Sequence, residues 1–185
     1  MQTYRIVPAT AADYSSIEQI ARRTWPETFG GILSTEQIEY MLQMMYRPEA
    51  IAEQVARGHV FHLLLDALGR ETSDYGPQSL LRYRPVGYVS HELDHLPNTT
   101  KIHKIYLLPG TQGRGFGRAL IEWVERIARR EGQQRLRLDV NYQNPAVSFY
   151  EHLGFVKVGR HDTDIGRGFL MEDWQMEKEF GQTRS

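Results

Sequence analysis

The segment Gln112-Gly113-Arg114-Gly115-Phe116-Gly117-Arg118 limits what this chain can fold into more than any other. It follows the strand-like run Ile102-His103-Lys104-Ile105-Tyr106-Leu107-Leu108, which Pro109-Gly110 closes. It precedes a stretch in which Ala119, Leu120, Trp123, Val124, Ile127 and Ala128 recur at helical spacing. Glycines here permit positive φ and let a ligand approach the backbone closely. The first N–H groups of a helix lack internal partners, and its dipole favours negative charge. Strand, glycine turn and helix therefore predict a pyrophosphate site, with Arg114 and Arg118 available to pair with phosphate. The spacing does not meet G-x-G-x-x-G, and no Gly-Lys-Ser or Gly-Lys-Thr follows, so the dinucleotide and P-loop readings fail. The plainer alternative is a glycine-rich turn that only joins strand to helix.

After that helix, Gly132 precedes Leu136-Arg137-Leu138-Asp139-Val140, a strand. Strand, helix and strand in this order predict a parallel, right-handed crossover. Upstream, Tyr4 to Val7 reads as a strand. A helix opening at Ala9 to Asp13 carries Ile17, Ile20, Ala21 and Trp25, with Pro26 and Gly30-Gly31 expected to end it. Ser34 and Gln37 suggest a capping box for a helix bearing Ile38, Met41, Leu42 and Met45. A short helix from Glu49 to Arg57 stops at Gly58. Val60 to Leu65, Val86 to Val89 and Ile102 to Leu108 imply an antiparallel meander. Asp66 to Pro85 reads as a loop, and Asp94 to Thr100 as a turn-rich connection. A short helix through Tyr150 to Leu153 and strands near Phe155 to Gly159 and Phe169 to Met176 complete the pattern. The expectation is one α/β domain over residues 1–180 on a mixed sheet, with residues 181–185 a flexible tail.

With 185 residues and no cysteine, the chain has no disulfide, zinc–thiolate site or thiol-acyl enzyme. A net charge of -1 gives no global attraction to nucleic acid or an anionic membrane. No apolar run approaches the roughly 20 residues that span a bilayer. Met1 to Val7 lacks a basic flank and an apolar core, so a cytoplasmic location is expected. His59 and His62 are close in sequence, and His91 and His95 flank Glu92 and Asp94. The second set falls at a strand end rather than on a helix, so no metal is expected.

Two blocks carry a family resemblance. Gln112 to Gly117 resembles the acetyl-CoA-binding pattern Gln/Arg-x-x-Gly-x-Gly/Ala of the GCN5-related N-acetyltransferases (GNAT). Asn144-Pro145-Ala146-Val147-Ser148-Phe149-Tyr150-Glu151-His152-Leu153-Gly154-Phe155 is similar to the family's second signature, one βαβ unit later. The resemblance implies a mixed sheet with an antiparallel N-terminal meander, a splayed parallel pair at the cofactor site and flanking helices. The backbone of Ile105, Tyr106 and Leu107 would then pair with the pantetheine arm, and the Leu107 N–H would face the thioester carbonyl. Gln112, Gly113, Arg114, Gly115, Phe116, Gly117 and Arg118 would hold the diphosphate. Asn144 and Ala146 would line the arm, and Tyr150 would be the general acid. Tyr150 could instead only pack against Val147 and Leu153, and Asn144 could be only a helix cap.

His103 stands where many relatives carry a glutamate, so it is the candidate base, although an ordinary strand histidine fits the position equally well. Glu27 and Tyr106 are weaker candidates, Glu27 for holding a cationic acceptor. Glu92, Asp94 and Asp139 could attract a polyamine or be merely solvated. Trp25 to Phe29, Ser34 to Leu42, Lys104 to Leu107 and Met171 to Lys178 resemble the PaiA-type branch, whose members are spermine/spermidine acetyltransferases. The resemblance thus implies direct N-acetylation of a small amine by acetyl-CoA without a metal, and allows a homodimer. A peptide or protein acetyltransferase and a non-catalytic acetyl-CoA-binding module are the alternatives.

Overall fold

A computed structural model describes residues 4–70 and 81–181. Its strands are β1 (Tyr4–Pro8), β2 (Val60–Arg70), β3 (Leu81–Leu96), β4 (Thr99–Leu107), β5 (Arg135–Asn141), β6 (Val156–Asp164) and β7 (Leu170–Glu179). They form one mixed sheet in the order β1-β2-β3-β4-β5-β7-β6. Only β4 and β5 pair in parallel among the described residues, through the crossover helix α4 (Phe116–Arg130). The remaining helices are α1 (Tyr14–Phe29), α2 (Thr35–Tyr46), α3 (Pro48–Ala56) and α5 (Ala146–His152).

The helices divide between the two faces of the sheet. His62 and Val89 are partners in the β2–β3 ladder and share a face, and the His62 ring lies 5.7 Å from Trp123 of α4. Tyr88 points the other way and meets Tyr46 of α2 at 6.3 Å. Helix α4 buries Phe116, Leu120, Ile121, Val124 and Ala128 against the sheet and aims charge outward. Each large aliphatic side chain in that stripe contributes about 1.5–3 kcal/mol of burial.

Four local expectations need correction. Pro26 does not end α1, which continues to Phe29. Trp25 and Phe29 pack their rings 4.6 Å apart in the core, and that burial holds the last turn despite the N–H that proline lacks. The capping box is half formed: Ser34 accepts from the Gln37 N–H at 3.1 Å, but the Gln37 amide reaches to Leu170 O at 2.9 Å. The segment from Asp66 to Pro85 is strand at both ends, with Asp66 opposite Arg84, and residues 71–80 of it lie outside the described residues. Pro85 sits where the β2–β3 register shifts, a place that tolerates its missing donor. Lastly, β3 runs on to Leu96 and turns through Pro97-Asn98 directly into β4, with Asn98 at φ 55°. Of the expected tail, residues 182–185 also lie outside the described residues.

Candidate active site

Strands β4 and β5 pair from Thr99 opposite Arg135 to Ile102 opposite Leu138, and then part. Past that point β4 continues to Leu107 and β5 to Asn141. On its other edge β4 stays with β3, where the Leu108 N–H donates to Val86 O at 2.7 Å. Backbone groups along a strand point alternately to either side. Leu108 and Tyr106 therefore direct their amides at β3, and those of Leu107 and Ile105 point into the cleft. Of the three residues expected along a cofactor arm, Ile105 and Leu107 present backbone there. Tyr106 does not; its ring lines the adjoining cavity, 5.8 Å from Trp25.

The glycine turn closes the top of the cleft. Gly113 and Gly115 have φ of 76° and 75°, and a Cβ at either would meet nothing within 4 Å, so backbone conformation is what requires glycine there. No hydrogen bond among the described residues engages the amides of Gly113, Arg114 or Gly115 outside the helix. Gln112 shapes the turn by accepting from the Gly110 N–H at 2.8 Å. A Cβ on Gly117 would lie 3.1 Å from the Phe149 ring, so that glycine lets α4 and α5 come together. Phe116 is buried, edge-on to Tyr4 at 5.5 Å. Arg118 is exposed at the helix start, with only a 3.8 Å approach from Glu122. The Arg114 side chain takes a partner that the sequence did not suggest: its guanidinium is held bidentately by the buried carboxylate of Asp66, at 2.5 and 2.8 Å, while its amide stays free at the turn. It fastens the turn to β2. The free amides of the turn, the helix start and the cleft-facing amides of β4 are the donor set that a diphosphate and an extended amide arm require.

A cavity of about 600 Å³ adjoins the cleft, walled by α1, α2, β4, β5 and β7. Asn144 and Ala146 line it, and Asn144 also caps α5 by accepting from the Ala146 N–H at 2.9 Å. Tyr150 lines it and is buried, its ring edge-on to Phe149 at 5.3 Å and Phe155 at 5.9 Å. Burial pushes the phenol well up, so it keeps its proton throughout the neutral range and is a weaker acid than a free tyrosine. Glu27 is exposed at the cavity edge.

His103 also lines the cavity, but its ring is stacked on His59 at 3.9 Å and its Nε2 lies 2.9 Å from Glu92 Oε2. Burial, then the neighbouring His59, pushes its pKa down to about 3. That makes it a poor proton acceptor at neutral pH. Glu92 is not part of the cavity wall; its carboxylate is shared by His103 and His95. His59, Glu92 and His103 place ligand-type atoms within 4.8 Å of one another, a grouping the sequence pairs did not suggest. The two stacked rings are nearly parallel, 16° apart, so their in-plane lone pairs run side by side and do not converge on one ion. His62 and His91 lie on the opposite face, beneath α4.

Three further residues bear on the site although the sequence assigned none of them a role. Gly87 faces Leu107, and a Cβ there would fall 2.8 Å from Tyr106 O. Lys104 is buried in the cavity wall, bonded to Gln54 at 2.5 Å, and burial pushes its pKa down to about 8. Asp173 of β7 is buried in the same wall. It falls within the tail segment that carried the branch resemblance, but nothing in that segment signals its chemistry.

Residues 16–155 match the sequence profile of the acetyltransferase (GNAT) family. A spermidine N(1)-acetyltransferase of Thermoplasma acidophilum is 30% identical over 163 residues, covering 86% of this chain and 90% of that protein. An uncharacterized N-acetyltransferase of Lactobacillus delbrueckii subsp. lactis is 27% identical, covering 90% of this chain and 92% of that protein. Among solved structures, the PaiA N-acetyltransferase of Thermoplasma acidophilum in complex with coenzyme A superposes with a TM-score of 0.74 at 24% identity. That likeness covers 97% of this chain and 100% of the other.

Proposed function

This chain belongs to the acetyltransferase (GNAT) family, and we propose that it transfers the acetyl group of acetyl-CoA directly to a primary amine of a small molecule, with polyamines the first acceptors to test. It is an N-acetyltransferase; the acceptor and the roles of individual residues are the proposal. The observation that carries it is the cleft beyond Ile102 and Leu138, where cleft-facing amides, free glycine-turn amides and a cavity adjoin one another.

When bound there, acetyl-CoA supplies an activated acyl group as a thioester. The amides around Gly113 to Gly117 and the charge of Arg118 hold the diphosphate. Ile105 and Leu107 pair with the arm, and the Leu107 N–H polarises the carbonyl; a donor of this kind contributes about 3 kcal/mol to barrier lowering. Asn144 fixes the arm from the α5 side. Tyr150 holds a proton at its hydroxyl for the leaving sulfur. With no cysteine in the chain, the amine meets the acyl group in a ternary complex.

The named acceptor of the Thermoplasma acidophilum relative, spermidine, and the acidic side chains Glu27, Asp139 and Asp173 along the cavity support a cationic acceptor. The cavity of about 600 Å³ is lined by the arm-facing residues Ile105, Leu107 and Asn144 as well as by Glu27 and Asp173, so it takes the end of the cofactor together with the acceptor and leaves room for a small amine. Among the described residues no helix is long and apolar enough to cross a membrane, which accords with the cytoplasmic location included in this proposal. The test is thiol release from acetyl-CoA with spermidine, spermine, free amino acids and lysine peptides. Turnover is expected with polyamines above the other amines. Turnover with lysine peptides alone would shift the reading to a protein acetyltransferase, and none with any amine, despite calorimetric binding of coenzyme A, to a binding module.

A further inference from the structure

We infer that the carboxylate of Asp173, and not the imidazole of His103, anchors the acceptor ammonium and takes its first proton. This rests on the function proposed above. Asp173 is only 8% exposed and lines the cavity, and its side chain accepts no hydrogen bond from any described residue. Its oxygens have no donor among the described residues and remain open to the cavity, so an arriving ammonium can pair with them without displacing a protein partner. Asp139 lies two residues off on the adjoining strand β5, where Asn141 is opposite Asp173; its Oδ1 is buried without a partner, although Oδ2 pairs with Lys101 Nζ at 2.7 Å. The cavity thus sets these two carboxylates beside two ammoniums, of which Lys101 pairs with Asp139 and Lys104 is engaged by Gln54, so neither bonds Asp173.

The groups around Asp173 set its proton affinity. Desolvation comes first, then the negative charge of Asp139; Lys101 of β4 and His161 of β6 oppose them, and Asp162 of β6 adds to them. Tyr106 of β4 stands nearby, and Glu27 of α1 and Lys104 of β4 line the same cavity. The result holds Asp173 up at about 6, ionised at neutral pH yet far more basic than a surface aspartate.

The step balances as follows. R–NH3⁺ gives one proton to Asp173, leaving R–NH2 and a neutral carboxylic acid. The nitrogen lone pair forms the C–N bond at the acyl carbon, and the C–S bond breaks. Tyr150 protonates the departing sulfur, and the surplus proton on nitrogen restores the phenol. Asp173 then releases its proton to solvent, so each turnover yields one H⁺.

The test uses the full chain. Carboxyl carbons of aspartate are labelled with ¹³C, and Asp173 is assigned by its loss in Asp173→Asn. In the cofactor-free protein its resonance should titrate near 6, moving to lower pH in Asp139→Asn, which removes a negative charge. In Lys101→Met, which removes a positive one, it should move to higher pH. The pH profile of kcat/KM for the amine should bend at the same values in all three proteins. Asp173→Asn should lose the bend and about 100-fold or more of kcat, with coenzyme A affinity unchanged by calorimetry. Asp173→Glu should recover part of the rate, and thermal unfolding should show each variant folded. An Asp173 resonance that titrates near 4, or a kinetic bend that survives Asp173→Asn, would overturn the assignment. So would a bend that vanishes in His161→Gln or lies near 8, the range of Lys104. Those outcomes leave the acetyltransferase reading intact, whereas a wild-type protein that turns over no amine removes both.

Discussion

Gly87→Ala isolates how tightly β4 is held beside the cleft. The backbone of Gly87 is not at positive φ, so alanine carries no conformational penalty there and the cost is steric. The added methyl would lie 2.4 Å from Leu107 Cδ2 and 2.8 Å from Tyr106 O. The first contact is with the end of a flexible side chain and is relieved by rotation. The second is with backbone, and relief requires β4 to move by several tenths of an ångström. Overpacking of this kind costs about 1–3 kcal/mol. For a chain of this size, that lowers the melting temperature by about 2–12 °C. The same movement displaces the Leu107 N–H, whose alignment is worth up to about 3 kcal/mol, so kcat should fall by about 10- to 100-fold. Differential scanning calorimetry and thiol release read the two effects separately. Unchanged unfolding temperature and kcat would refute the claim that the Gly87–Leu107 contact sets the position of the amide. Lost stability with full kcat would refute only its link to chemistry.

Tyr150→Phe should lower kcat by about 100-fold or more with little change in coenzyme A affinity; an unchanged kcat in thiol release refutes the acid role. Gly115→Val places a β-branched residue at φ 75°, costing at least about 1–2 kcal/mol; calorimetry should show cofactor binding lost while circular dichroism retains the fold. Asp66→Asn should lower the melting temperature at pH 7 by loosening Arg114. The Arg114 guanidinium depresses the Asp66 pKa below its ordinary 3.8. The folded form is therefore favoured above that value, and the benefit disappears as pH falls through the lower folded-state pKa. Unfolding curves from pH 7 to 2 should show Asp66→Asn and wild type converging at the acid end.

The sequence makes the cofactor side legible because its chemistry is local. Glycines at 113 and 115, the helix after them and the crossover to β5 depend on residues next to one another in the chain. The acceptor side is assembled from distant segments. Asp173 lies beside Lys101 and Asp139 only once β7 inserts between β5 and β6, an order no local pattern encodes. His103 illustrates the same limit: its position suggested a base, but the stacking ring comes from His59 and the anchoring carboxylate from Glu92. The hold of Asp66 on the Arg114 side chain was not legible, because Asp66 lies 48 residues away in a stretch that reads as loop. Pro26 failed as a helix stop because the packing of Trp25 and Phe29 outweighed a rule about backbone donors.

The early parting of β4 from β5 leaves the sheet joined at its middle by four rungs, from Thr99–Arg135 to Ile102–Leu138. Other ties between its halves run through α4, through the Lys101–Asp139 pair, and through Gln37 and Tyr40 of α2, which bond Leu170 O and Ile165 O. A molecule that lies along both exposed strand edges would add a tie along the gap that these leave open. Amide hydrogens of β5 and β7, far from the nucleotide end, should then exchange much more slowly once the gap is bridged. Ligand occupancy would be felt as rigidity in a part of the protein that the ligand's phosphates never reach.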